Sequence, residues 1–110
     1  MSLYHIIRFP FFIEQFNALD EVHQERIRRI VFQLSEKGSL VGKPLGLPFL
    51  REKKFNGNRL YFLFYAEWNV VLLVALSDKK DQSTTIVKIK TELSSYRQFV
   101  YEQLKEMGLI

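Results

Sequence analysis

Cysteine does not occur among the 110 residues, which excludes disulfides, thiolate metal sites and a thiol nucleophile, and leaves no sign of an oxidising compartment. The two histidines, His5 and His23, lack the spacing of a metal-ligand pair. The one glycine-rich stretch, GSLVGKPLG, has neither the G-x-G-x-x-G order nor the G-K-[ST] ending of a phosphate-cradling loop. No nucleotide cofactor, and no cofactor or metal of another kind, is therefore expected. No serine stands in an elbow motif, and most carboxylates alternate with Lys and Arg on helical faces, where solvated charge is the plain reading. No apolar run reaches membrane-spanning length, and MSLYHIIRFPFF lacks the charged start and small-residue cleavage site of a signal peptide. A cytoplasmic protein without a membrane partner is expected.

What is present describes a folded globule. Apolar residues make up 47% of the chain and charged ones 25%, enough to bury a core, and the length suits one domain spanning 1–110. The formal charge is +4, and +3 of it falls between residues 49 and 80, where six cations (Arg51, Lys53, Lys54, Arg59, Lys79, Lys80) meet three anions. The excess is local, and a local excess points to an acidic partner more directly than net charge does.

Periodicity orders the elements. LYHIIRF (3–9) reads as a strand ended by Pro10, and Phe12, Phe16 and Leu19 then recur at helical spacing. Asp20 caps a second helix whose Ile27, Ile30, Val31 and Leu34 form one face, and Gly38 stops it. GSLVGKPLGLP (38–48) reads as a loop. FLREKKF meets NRLYFLFYA through Asn56-Gly57, a pair suited to the positive φ angles of a type I′ turn, and NVVLLVALS returns as a third antiparallel strand. A last helix is expected from about residue 86, because the β-branched STTIV disfavours an earlier start. The sum is an α+β domain: a small antiparallel-rich sheet with an N-terminal helical hairpin and a C-terminal helix, the helices covering one face of the sheet.

The cationic hairpin is where chemistry is expected. Alternation puts Arg51, Lys53 and Phe55 on one side of its first strand and Leu50, Glu52 and Lys54 on the other. In the second strand Arg59, Tyr61, Leu63 and Tyr65 share a face, and the apolar Leu60, Phe62 and Phe64 should turn to the helices. If register adds Arg51 and Lys53 to the Arg59 face, the result is a basic surface dotted with tyrosine rings, suited to a phosphodiester and unstacked bases, with Lys79 and Lys80 at its rim. Lysines that protect a sheet edge from pairing would read the same way.

In FLREKKFNGNRLYFLFY and SDKKDQSTT the chain resembles the RelE and ParE toxin superfamily, and most its HigB-like, phage-associated branch. That branch runs L-x-E-L-R, a turn, R-x-x-Y/F-x-Y/F, an apolar strand, K-K-x-x-x-T-P and a final helix, and the resemblance covers nearly the whole chain. It implies the toxin of a type II toxin–antitoxin system: a metal-independent endoribonuclease cutting ribosome-bound mRNA and silenced by a cognate antitoxin. Carried over residue by residue, Arg59 is the phosphate ligand, Lys53 or Lys54 the base or a second stabiliser, and Lys80 the basic residue after the last strand. Lys79 and Arg51 are further candidate substrate contacts, and Tyr61 and Tyr65 are placed with them by strand alternation, with core packing the other and stronger reading of both rings. Lysine serves as a base where neighbouring cations lower its pKa, and arginine holds phosphate with two donors. Lys53 replaces the pattern's leucine, Thr85 its proline and Lys88 its usual glutamate, and nothing matches the carboxy-terminal tyrosine that serves RelE-type members as acid. A ParE-like inhibitor of DNA gyrase and an inactive binding module share the fold and stay open as alternatives.

Overall fold

The computed structural model describes residues 3–110. Strand β1 (His5–Arg8) ends where Pro10 opens helix α1 (Pro10–Asn17), its fixed φ suiting a first helical turn. Helix α2 (Glu21–Lys37) is capped by Asp20, whose carboxylate accepts from the His23 N–H at 2.9 Å. It ends at Gly38, with φ +53°, where a Cβ would lie 2.5 Å from the Tyr4 ring. Only glycine lets the chain turn beneath that ring. A 3₁₀ turn (Gly38–Leu40) leads to strand β2 (Lys43–Pro44), a short element inside the stretch that the sequence reads as loop.

Strands β3 (Leu50–Phe55), β4 (Asn58–Tyr65) and β5 (Val70–Asp78) form the expected meander, and Asn56 and Gly57 both take positive φ, as a type I′ turn requires. The sheet order is β1-β5-β4-β3-β2, with β1 parallel to β5 and every other pair antiparallel.

Helices cover both faces of the sheet, which corrects the one-sided arrangement expected from the sequence. Leu60, Phe62, Val71 and Leu73 pack under α1 and α2 against Phe12, Ile27, Ile30 and Leu34. On the opposite face Tyr61, Leu63, Tyr65, Val70 and Leu72 pack against Ile89, Tyr96, Val100 and Leu104. The reason lies in β4 and β5, which are apolar on both sides: such strands belong in a sheet with two covered faces. Each fully buried Leu, Val or Phe here contributes about 1.5–3 kcal/mol of burial.

The last helical segment is two helices, α3 (Gln82–Thr91) and α4 (Leu93–Glu106), starting four residues before the expected point. Thr85 and Thr91 are tolerated because their hydroxyls donate to the carbonyls of Asp81 and Val87, both at 2.8 Å. The turn before α3 is held by the Asp81 N–H, which donates to the Asp78 carboxylate at 2.8 Å.

Beyond Leu73, β5 outruns β1, and a side chain substitutes for the missing strand. The Gln15 amide accepts from the Leu76 N–H at 2.7 Å and donates to the Leu76 carbonyl at 2.9 Å. Gln15→Ala would leave both backbone groups unpaired at a sheet edge. It is expected to lower stability by about 1–3 kcal/mol, read from urea unfolding midpoints.

Candidate functional site

The two-residue turn sets Phe55 opposite Asn58, and counting back places Lys54 directly opposite Arg59. Glu52 faces Tyr61, Lys53 faces Leu60 and Arg51 faces Phe62. Lys54, not Lys53, therefore shares the Arg59 face, the one beneath α3 and α4. Arg51 and Lys53 lie on the α1–α2 side, so the surface expected from the sequence, with Arg51 and Lys53 beside Arg59, does not form.

Arg51 is committed elsewhere. Its Nε donates to the Val41 carbonyl at 3.1 Å and its second terminal nitrogen to the Gly42 carbonyl at 2.9 Å, tying the loop before β2 to β3. The approach is so close that a Cβ on Gly42 would lie 2.3 Å from the Glu52 carbonyl oxygen.

Tyr61 and Tyr65 are buried and present no ring face for a base. Ser77 Oγ donates to the Asp78 carbonyl at 3.0 Å, which leaves Tyr61 as the donor in its 2.7 Å pair with Ser77. Burial pushes the Tyr61 phenol up, opposed by the Ser77 hydrogen bond, and burial raises Tyr65 well above the ordinary tyrosine range. In α4 the Tyr96 phenol is pushed up to about 12, first by burial and then by the Glu92 carboxylate. Phenols that keep their protons in the fold beyond pH 10 stabilise it only while the unfolded chain keeps them too. Stability is expected to hold below about pH 10 and to fall as pH climbs towards about 12. Tyr96→Phe should flatten that fall in urea midpoints measured across the range.

Arg59 lies with 6% of its surface exposed. One terminal nitrogen donates to the Gly57 carbonyl at 3.1 Å, while its buried Nε has no acceptor. Like charges directly opposite each other on a sheet face repel, as Lys54 and Arg59 do here. Among the described residues no carboxylate comes within salt-bridge distance of Lys53, Lys54, Arg59, Lys79 or Lys80. Lys54, Lys79 and Lys80 are exposed, the latter two in the turn between β5 and α3. The hairpin thus pairs a buried guanidinium with an unmet donor and an exposed ammonium, an arrangement that an anion would complete.

Three polar residues of this face were not singled out from the sequence. Glu52 is 1% exposed, and the Gln82 amide donates to both of its carboxylate oxygens, at 3.3 and 3.1 Å. Lys43 stands 3.8 Å from the same carboxylate. Alternation put Glu52 on the Lys54 side, but no local signal marks its burial or its meeting with Gln82, 30 residues away. A cleft of about 510 Å³ borders the hairpin tip, lined by Phe55, Asn58, Asp78, Lys88 and Ser77, the residue paired with Arg59, though none of the candidate cations lines it.

No protein-family model matches the chain, and no curated protein does. Solved structures do. An arginine double mutant of Escherichia coli toxin RelE in the free state superposes with a TM-score of 0.66 at 17% identity, covering 81% of this chain and 99% of that one. The Mycobacterium tuberculosis toxin–antitoxin complex RelBE2 gives 0.62 at 18%, covering 72% of this chain and 100% of that one. The archaeal RelE–RelB complex from Pyrococcus horikoshii gives 0.61 at 14%, with 70% and 96% covered. The chain has the RelE fold. Within that fold the Lys54–Arg59 pair stands at the tip of the β3–β4 hairpin, beside the β5–α3 turn that carries Lys79 and Lys80.

Proposed function

We propose that this chain is the toxin of a type II toxin–antitoxin pair, of the HigB-like kind, and that it cuts ribosome-bound mRNA in the cytoplasm as a single unit. The observation that carries the reading is the Lys54–Arg59 pair: two cations opposed across the hairpin, one of them buried with an unmet donor, and no carboxylate between them. A phosphodiester supplies the missing anion.

In the reaction the RNA 2′-oxygen attacks the adjacent phosphorus and the bond to the 5′-oxygen breaks, leaving a cyclic phosphate and a free 5′-hydroxyl. Water takes the 2′-hydroxyl proton and returns one to the departing 5′-oxygen, while Lys54, at the exposed side of the pair, donates to the phosphate as a second stabiliser. Arg59 binds the phosphate oxygens from the buried side, where its charge stabilises the developing dianion most effectively. Lys80 and Lys79 hold the RNA backbone at the rim. Tyr61 does not protonate the leaving oxygen, since its proton is already donated to Ser77. The partner that silences the chain is a small antitoxin, as the solved RelE structures in complex with RelB peptide or protein suggest by analogy.

Inducing the wild-type chain and an Arg59→Ala, Lys80→Ala double variant in bacteria, with RNA 5′ ends mapped within minutes, tests this reading. Growth arrest with new cuts inside coding regions, both lost in the variant, is the expected result. Arrest without cuts would instead assign a protein target of the gyrase-inhibitor kind.

A further inference from the structure

Glu52 and Arg59 are the two buried charged residues among those described, they lie on the same face of the same hairpin, and they do not pair. Glu52 faces Tyr61, and Arg59 is two positions along the same strand. Diagonal neighbours of this kind sit about 7–8 Å apart, within reach of two long side chains. A carboxylate and a guanidinium that close, both withdrawn from water, attract strongly.

Glu52 is engaged instead by Gln82. Its amide nitrogen brackets both Glu52 oxygens from the first turn of α3, and that turn is itself fixed by the Asp78–Asp81 hydrogen bond. Glutamine satisfies the carboxylate's lone pairs without cancelling its charge or using up a cation. Lys43 is the other cation near Glu52, but at 3.8 Å and with a side chain 62% exposed it is a weak, solvent-screened partner. Arg59, for its part, keeps a free Nε.

We propose that Gln82 is a positioning residue: by holding the Glu52 carboxylate it keeps Arg59 unpaired and open to an RNA phosphate. The substrate in this statement rests on the ribonuclease reading, whereas the geometry does not. Without the Gln82 amide, Glu52 turns onto Arg59 and becomes an internal competitor of the phosphate. The loss falls on substrate affinity and KM, with kcat nearly kept.

The test uses the full chain and two readouts. One is the side-chain Nε–H resonance of Arg59 in nitrogen-15 spectra without RNA; the other is binding of a fluorescent 2′-O-methyl RNA oligonucleotide, which cannot be cut. Gln82→Ala is expected to move the Arg59 resonance and weaken binding about tenfold, the loss of one charge-assisted contact. Adding Glu52→Gln should return the resonance and bring affinity to within about twofold of wild type. A Gln82 that served only to hold α3 would show no such rescue. An unmoved resonance in Gln82→Ala, or a binding loss that Glu52→Gln does not restore, overturns the proposal. If wild type binds no RNA, yet the resonance moves and returns as described, the positioning role stands and the ribonuclease reading falls.

Discussion

Arg59→Met is expected to slow RNA cutting by roughly 10²–10³-fold and at the same time to raise, or at least not lower, resistance to urea. The two effects share one cause. The guanidinium is buried with a single hydrogen bond, to the Gly57 carbonyl, with an unmet Nε and with Lys54 directly opposite. The buried carboxylate nearby, Glu52, is held by Gln82 and not by Arg59, so the guanidinium is buried without a paired counterion, and its replacement by an apolar side chain of similar volume is expected to be neutral or stabilising. The same unmet charge is what a phosphate would engage, and removing a preorganised transition-state contact slows a reaction by roughly 10²–10³-fold. Cleavage rates and urea midpoints of the two proteins check both halves. A less stable variant that still cuts would show that Arg59 is a structural cation.

Arg51→Met, eight positions earlier in the same hairpin, is expected to do the reverse. Its guanidinium donates to the Val41 and Gly42 carbonyls and faces α1 and α2, away from Lys54 and Arg59. Losing two charged hydrogen bonds and freeing the loop that carries β2 should destabilise the chain by about 2–3 kcal/mol. Well below its melting temperature the variant should cut RNA at a rate within about twofold of wild type, as independent sites allow. Loss of cutting without loss of stability would return Arg51 to the substrate-binding role that its position in the sequence suggests.

That contrast shows where the sequence can be read and where it cannot. The element order, the Asn56-Gly57 turn and the alternation of β3 and β4 are all legible, because each depends on residues within a few positions of one another. The register was also implicit, since a two-residue turn that pairs Phe55 with Asn58 must pair Lys54 with Arg59. The start of α3 was misplaced because β-branched residues lower helix propensity, while the Thr85 hydroxyl bond to the Asp81 carbonyl compensates locally.

By itself the sequence determined a cationic hairpin in an α+β chain, and which of its side chains share a strand face. Tertiary structure alone decided that the Arg59 face lies under α3 and α4, that Tyr61 and Tyr65 are core, that Arg51 binds its own loop, and that Gln82 reaches Glu52. The physical reason is range. Strand alternation and turn geometry are set by neighbouring residues, whereas burial and hydrogen-bond partners depend on where segments 10 to 30 residues away come to rest, and a strand apolar on both faces does not say which helix will cover which side.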